Sequence, residues 1–201
     1  MTAPSITTDL IAYNFNIETS DFFAHLKNAP LSPLIGQSFM HELARDGDTL
    51  SAEVILQTGG HIDLPDDEGR RPLHEAAFFG KLEMVKLLVA NGAVIDAPIH
   101  PFGYTALYLA IQQGRHDVAR FLIENGARLS VIDHLSGQGL LHIAAARGDV
   151  LMTGLLVAAG IDVFAQDKRG QTARDYAAKA GERDLERILL KIMVHHARFC
   201  A

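Results

Sequence analysis

Glycines recur at a fixed interval through most of this 201-residue chain. In each of three series the neighbouring glycines lie 33 or 34 residues apart, namely Gly69, Gly103, Gly137 and Gly170; Gly80, Gly114, Gly148 and Gly181; and Gly92, Gly126 and Gly160. A period of this length is typical of solenoids, in which each repeat packs only against its neighbours. We therefore expect an elongated stack of similar units instead of a globule around one central core.

The aligned copies divide the chain into repeats. A weaker first copy precedes four clear ones, because Gly36, His41 and Gly47 fall where the later copies predict them. The last repeat is expected to form a polar end of the stack, since Arg174 stands where inner copies have leucine. We predict five repeats, the outer two degenerate, inside a repeat domain that covers 33–201, with approximate bounds 33–65, 66–99, 100–133, 134–166 and 167–197.

Each copy has the pattern of two short helices followed by an extended segment. In the second copy, Pro72 suits the first turn of a helix, where no N–H is needed. Gly80 can end that helix at low conformational cost. An apolar stripe at helical spacing then leads to Gly92, and the turn-rich segment 94–103 follows. The pattern predicts a helix pair that is joined to the next unit by a finger resembling a β-hairpin.

Several copies carry a sequence signature at the start of the first helix. The segments Pro72–Ala77, Thr105–Ala110 and Leu140–Ala145 resemble the T-P-L-H-x-A signature of the ankyrin repeat. The segments Asn91–Ala93 and Asn125–Ala127 resemble the ending of its second helix. The resemblance implies an all-α ankyrin-repeat solenoid of about five helix-turn-helix repeats with β-hairpin-like fingers. The rival tetratricopeptide repeat also pairs helices, but it lacks the finger and the glycine-alanine ending.

Some copies depart from this signature. Arg71 and Gly139 replace its threonine, and Tyr108 and Asp175 replace its histidine. We expect these copies to lose the local side-chain hydrogen bonds that brace the turn. The third and fourth copies are also expected to be one residue longer at the finger.

Residues 1–32 do not match the repeat. The segment Thr19–Asp21 is typical of a helix start, and Phe22 and Phe23 follow it. We predict an N-terminal tail and a capping helix that packs on the first repeat through these two phenylalanines. The alternative is an unstructured tail.

Composition excludes several classes of protein. The formal charge of −6 disfavours a nucleic-acid partner, because such proteins usually carry a basic face. The single cysteine, Cys200, allows neither an internal disulfide nor a cysteine-rich zinc site. No signal peptide or membrane span is recognised, so no membrane partner and a cytoplasmic location are expected. Secretion without an amino-terminal signal stays open.

Catalytic and metal-binding motifs are not found in the sequence. His41, His74 and His142 occupy one repeat position, so stacking would place them about 10 Å apart. Metal ligands must converge on one ion at about 2 Å, which favours a structural role for this row. There is also no nucleophile elbow, phosphate-cradling loop or zinc-protease motif. We therefore expect no catalytic residues, no metal and no cofactor.

The resemblance to ankyrin repeats implies that a partner protein docks on a concave side. That side is formed by the finger tips and by outward positions of each first helix. Carried over to this chain, the predicted partner-binding residues are Asp67, Glu68, Arg70, Phe102, Tyr104, Gln138, Lys168 and Arg169 on the fingers, and Arg45, Phe78, Phe79, Gln112, Gln113 and Arg147 on the first helices.

Aromatic residues concentrate in the second and third repeats. Large aromatic anchors are typical interface hot spots, so the set Phe78, Phe79, Phe102 and Tyr104 is the predicted binding centre. Arg45 and Arg70, with Arg147 farther along, are expected to surround it. The alternative for Phe78 or Phe79 is that one of them packs in the core.

Charge also changes along the fingers. The second finger is acidic, whereas Lys168, Arg169 and Arg174 make the fifth basic. Such a gradient would orient a partner of opposite polarity, although solvated turns can give the same pattern by chance.

The leading functional hypothesis is an interaction module, an adaptor, scaffold or inhibitor that binds another protein and is monomeric alone. A second hypothesis is a secreted effector or cryptic enzyme that uses residues 1–32 together with the array. A third is self-association through the apolar segment Ile188–Phe199.

Overall fold

A computed structural model describes residues 33–57 and 59–199 of the chain. The predicted N-terminal capping helix lies outside these residues. Ten helices occur within the described part, arranged as five consecutive pairs. They are α1 (Pro33–Asp46) and α2 (Thr49–Gln57), α3 (Pro72–Phe79) and α4 (Leu82–Ala90), α5 (Ala106–Gln112) and α6 (His116–Glu124), α7 (Leu140–Ala146) and α8 (Val150–Ala158), and α9 (Ala173–Ala180) and α10 (Arg183–Phe199).

The helix pairs stack side by side in two rows. In the row of first helices, α1 contacts α3, α3 contacts α5, α5 contacts α7, and α7 contacts α9. The second helices α2, α4, α6 and α8 form a parallel row with contacts between successive members. The described part is therefore an all-α solenoid, as the repeat pattern predicted.

One continuous apolar core runs between the two rows. Equivalent small residues, such as Ala76, Ala110 and Ala144, are completely buried and allow adjacent first helices to approach closely. Equivalent large residues, such as Leu88 and Leu122, are also completely buried between the rows. Burying a leucine stabilises the fold by about 1.5–3 kcal/mol, and here each such leucine needs the neighbouring repeat to cover it.

Left-handed glycines end the first helices. Gly80 has φ 75°, and its N–H donates to Ala77 O while the following Lys81 N–H donates to Ala76 O. Any residue with a Cβ would be strained at this φ. Gly181 ends α9 in the same way, with φ 81°. The regular spacing of these glycines in the sequence therefore marks the turn between the two helices of each repeat.

The expected loss of bracing hydrogen bonds in atypical copies is only partial. Gly139 has no side chain that could accept one, but each atypical copy keeps at least one such bond. In the fifth repeat the backbone N–H and the hydroxyl of Thr172 both donate to Asp175 Oδ2 at 2.8 Å. In the third, Tyr108 N–H donates to Thr105 Oγ1 at 3.3 Å. The turn requires one acceptor that closes the first helical turn, and a carboxylate or a hydroxyl meets that requirement as an imidazole does.

The fingers that connect the repeats contain little regular strand. Isolated antiparallel bridges join Ile99 to Tyr104 and Ile132 to Gly139, in the third and fourth fingers. These bridges correspond to the β-hairpin-like fingers predicted from the sequence.

Candidate functional site

The finger tips are rigid turns built around an aspartate. Asp66 Oδ1 accepts hydrogen bonds from Glu68 N–H at 2.9 Å and Arg70 N–H at 2.8 Å. In the fifth finger, Asp167 Oδ1 accepts from Arg169 N–H and Gln171 N–H, both at 2.8 Å. Burial alone would raise the pKa of Asp167, but these bonds and one from the Tyr176 hydroxyl lower it below its ordinary value. The backbone at each tip is thus held in place before any partner arrives.

The third and fourth fingers are one residue longer than the others, as predicted. Ile99 N–H donates to Tyr104 O and Asp133 N–H to Gln138 O, each at 2.8 Å and across five residues. The corresponding bond from Asp66 to Arg70 O spans four residues at 2.7 Å.

The extra residue places Leu135 at the fourth tip with 66% of its surface exposed. This residue was not predicted from the sequence, because only the neighbours of each finger glycine were expected at the tips.

Adjacent fingers are connected through their backbones. His134 N–H donates to Phe102 O and Lys168 N–H donates to Ser136 O, both at 3.0 Å. A side chain added at Gly69 would meet the backbone nitrogen of His100, so the second finger lies beside the third. The four tips therefore form one row, which we call the finger row: residues 66–70, 99–104, 133–138 and 167–171.

An aromatic ladder leads from the core to the third finger tip. The Phe102 and Tyr104 rings stack with centroids 5.3 Å apart, and Tyr104 stacks on Tyr108 at 4.3 Å. Tyr108 is buried and Tyr104 half-buried, whereas Phe102 is 36% exposed. Burial raises the pKa of Tyr108 above its ordinary value. Sequence analysis missed Tyr108 as the anchor of this ladder, although its replacement of a signature histidine was the signal available.

The two phenylalanines at the end of α3 have different environments. Phe78 is partly buried against the core, whereas Phe79 is 38% exposed. Their rings meet edge to face with centroids 5.1 Å apart. The alternative considered from the sequence, that one of the pair packs in the core, applies to Phe78.

A buried carboxylate contacts two arginines, one of which lies beside Phe79. Glu75 is only 3% exposed, and its Oε1 lies 3.0 Å from Arg70 Nη1 while its Oε2 lies 3.5 Å from Arg45 Nε. The Arg45 guanidinium lies 5.8 Å from the centre of the Phe79 ring. Arg70 also contacts Glu68 at 3.1 Å. No feature of the sequence singled out Glu75, because its burial depends on the neighbouring repeats.

The other predicted residues spread along the array. Arg147 does not share the contacts of Arg45 and Arg70, since its Nη1 donates to Gln112 O at 2.8 Å between the third and fourth repeats. Lys168 Nζ donates to His134 O. The side chains of Asp67, Lys168 and Arg169 are exposed, and those of Gln112, Gln113 and Gln138 are half-buried.

The row of histidines joins successive repeats. His74 Nδ1 accepts from Arg71 N–H and its Nε2–H donates to Ala97 O, both at 2.9 Å. His142 repeats this arrangement with Gly139 N–H at 3.2 Å and Gln171 O at 2.9 Å. Burial lowers the pKa of His74 to about 4, so this ring is neutral at physiological pH. The rings occupy structural positions, as the sequence analysis favoured.

Two other kinds of feature do not occur in the described part of the chain. Among residues 33–57 and 59–199, no group of three or more histidine, cysteine, aspartate or glutamate side chains could hold a metal ion. Within the same residues, no helix combines the length and apolar character needed to cross a membrane.

Family models match most of the repeat array. A model of three consecutive ankyrin repeats matches residues 40–133, and a model of a single ankyrin repeat matches residues 136–168.

Three relatives illustrate the range of similar proteins. The Mus musculus nuclear factor NF-kappa-B p105 subunit is 33% identical over 135 residues, which are 66% of this chain and 14% of the relative. The Latrodectus hasselti alpha-latrotoxin-Lh1a is 29% identical over 161 residues, which are 79% of this chain and 10% of the relative. The Homo sapiens ankyrin repeat and SOCS box protein 2 is 31% identical over 101 residues, which are 49% of this chain and 15% of the relative.

The chain thus spans 15% or less of the length of each of these relatives. Stacked helix pairs, left-handed glycines, bridged fingers and matching family models agree, and the chain belongs to the ankyrin-repeat family.

Proposed function

We propose that this protein is an adaptor, scaffold or inhibitor that binds a partner protein on its concave face, at the finger row and the adjacent ends of the first helices. Ankyrin repeats are generally protein–protein interaction modules. The observation that carries the proposal is the aromatic ladder, which holds the exposed Phe102 ring against Tyr104 and Tyr108.

Preorganisation makes Phe102 a strong candidate anchor. A side chain that is already fixed loses little conformational entropy when a partner covers it. Aromatic anchors of this kind commonly cost about 2 kcal/mol or more on truncation to alanine. Tyr104 supports the Phe102 ring from beneath, so the two residues should act as one unit.

A second anchor is formed by Phe79 with Arg45. The buried Glu75 neutralises part of the charge of Arg45 and Arg70 and restrains both guanidinium groups. Arginines restrained beside an exposed aromatic ring can donate hydrogen bonds to a partner at a low entropic cost. This pair extends the proposed surface from the third repeat into the second and first.

The test removes the ladder and leaves the rest of the array intact. Phe102→Ala combined with Tyr104→Ala should weaken partner binding by about 30-fold or more, which corresponds to about 2 kcal/mol. The wild type is used to capture partners from the source cells, and the isolated partner is then titrated against both proteins by calorimetry.

Leu151→Ala is the matched control. Leu151 is also a large apolar residue, 76% exposed, but it lies on α8 in the row of second helices. This variant should bind like the wild type. Full affinity in the double variant would refute the proposed surface, and a loss of binding in Leu151→Ala would point to the row of second helices instead.

A further inference from the structure

The side chains at the finger tips change character in one direction along the array. Asp67 and Glu68 occupy the second tip, Phe102 the third, Leu135 the fourth, and Lys168 with Arg169 the fifth. All six are exposed. The row therefore begins with two acids, continues with two apolar residues and ends with two bases.

The charged side chains at the two ends stay exposed, although some have partners within the chain, as Lys168 Nζ does in its hydrogen bond to His134 O. In the second finger, Asp66 is occupied by backbone N–H groups, and Arg70 is shared between Glu68 and the buried Glu75. The Glu68 side chain remains 73% exposed. In the fifth finger, Asp167 is occupied by backbone N–H groups and the Tyr176 hydroxyl.

The spacing expected for packed repeats corresponds to one conformation of an extended chain. Packed repeats advance by about 10 Å, the usual distance between packed helices. A polyproline II helix has three residues per turn and rises about 3.1 Å per residue. Every third side chain therefore lies on the same side, about 9 Å from the last, and a β-strand lacks this period because its side chains alternate.

We propose that the finger row binds a proline-rich, polyproline II segment of the partner whose side chains at i, i+3, i+6 and i+9 are basic, apolar, apolar and acidic. This inference rests on the proposed function and specifies the partner chemistry of that same surface. The base faces Asp67 and Glu68, the apolar pair contacts Phe102 and Leu135, and the acid faces Lys168 and Arg169. Rings such as Phe102 and Tyr104 suit proline, since aromatic-lined grooves recognise this preformed helix.

The test uses synthetic proline-rich peptides of about ten residues, the length that spans four tips. All carry leucine at i+3 and i+6, and the two end positions are lysine and glutamate, lysine at both ends, or glutamate at both ends. Binding is measured by fluorescence anisotropy. The wild type should bind the lysine-glutamate peptide about tenfold tighter than either other peptide, and about 1 M salt should remove the difference.

Two protein variants change the preference in opposite directions. D67K/E68K makes both ends of the row basic and should prefer the peptide with two glutamates. K168E/R169E makes both ends acidic and should prefer the peptide with two lysines. The turn aspartates Asp66 and Asp167 are retained in both variants, and circular dichroism melting checks that each one folds.

A fourth peptide tests the register. One residue inserted between the two leucines should lower wild-type affinity several-fold. The two leucines then no longer lie on the same side of the polyproline II helix.

Equal binding of all peptides, preferences that do not switch in the variants, indifference to the insertion, or no binding at about 1 mM would each overturn this inference. The proposed function would still stand if the captured partner required Phe102 and Tyr104, so failure of the two proposals can be distinguished.

Discussion

At the scale of residues, the same helix-starting turn is closed by different chemistry in different repeats. Histidine rings close it in the second and fourth, whereas Thr105 and Asp175 serve in the third and fifth. The structural role of the histidines was predictable from their period. The residues that replace them were not predictable in this way, because the prediction assumed that every missing signature residue leaves the turn without a bracing bond. Glu75 was not predictable from the sequence either, because its side chain is buried only where the neighbouring repeats pack around it.

His74 should make the protein sensitive to mild acid. Burial lowers its pKa from 6.5 to about 4, so between these values the unfolded chain binds a proton that the folded protein does not. Stability should therefore fall as the pH drops from 6.5 towards 4, by up to about 3 kcal/mol from this ring. Urea unfolding at several pH values measures the slope.

His74→Gln tests this assignment. The variant should be less stable near neutral pH by about 1–3 kcal/mol, because buried hydrogen bonds are lost or weakened. Its stability should depend less steeply on pH than that of the wild type over the same interval. Parallel pH profiles for the two proteins would contradict the assignment.

At the scale of elements, finger length controls which side chains a tip presents. The longer third and fourth fingers were predicted from the spacing of glycines. Their consequence was missed, since sequence alignment on a glycine does not show that an inserted residue projects at the tip as Leu135 does. The aromatic ladder was likewise predictable only in part. Phe102 and Tyr104 were predicted as surface residues, but the stacking of Tyr104 on Tyr108 is seen only in the structure.

The start of α9 offers a test of element stability. The Thr172 backbone N–H and hydroxyl donate to Asp175, and these bonds hold the pKa of the carboxyl below its ordinary value of 3.8. Asp175→Ala should destabilise the protein by about 1 kcal/mol at neutral pH, as loss of a helix cap does. Because the bonded form is the carboxylate, this difference should shrink as the pH falls below 3.8. Urea unfolding of both proteins measures it.

Asp175→Asn is the control for this cap. Its amide oxygen can still accept from Thr172, so it should cost less than the alanine variant, and its effect should change less with acid. An alanine variant as stable as the wild type at neutral pH would show that the bonds do not stabilise the helix.

At the scale of the whole molecule, stacking separates two surfaces. The first helices and the finger row lie along one part of the array, and the second helices α2, α4, α6 and α8 form the other row. The stack itself was predictable, because a helix pair of this size cannot bury its apolar face alone. The finger-row side is the proposed binding surface because contacts between repeats hold its exposed residues in place. Phe79, for example, lies beside Arg45, which contacts Glu75.

The most direct measurement is site-specific photo-crosslinking in extracts of the source cells. A benzophenone side chain replaces Phe102 on the finger row in one variant and Leu151 on the row of second helices in another. The proposed surface predicts a covalent partner adduct from position 102 and none from position 151. An adduct from position 151 alone would contradict it.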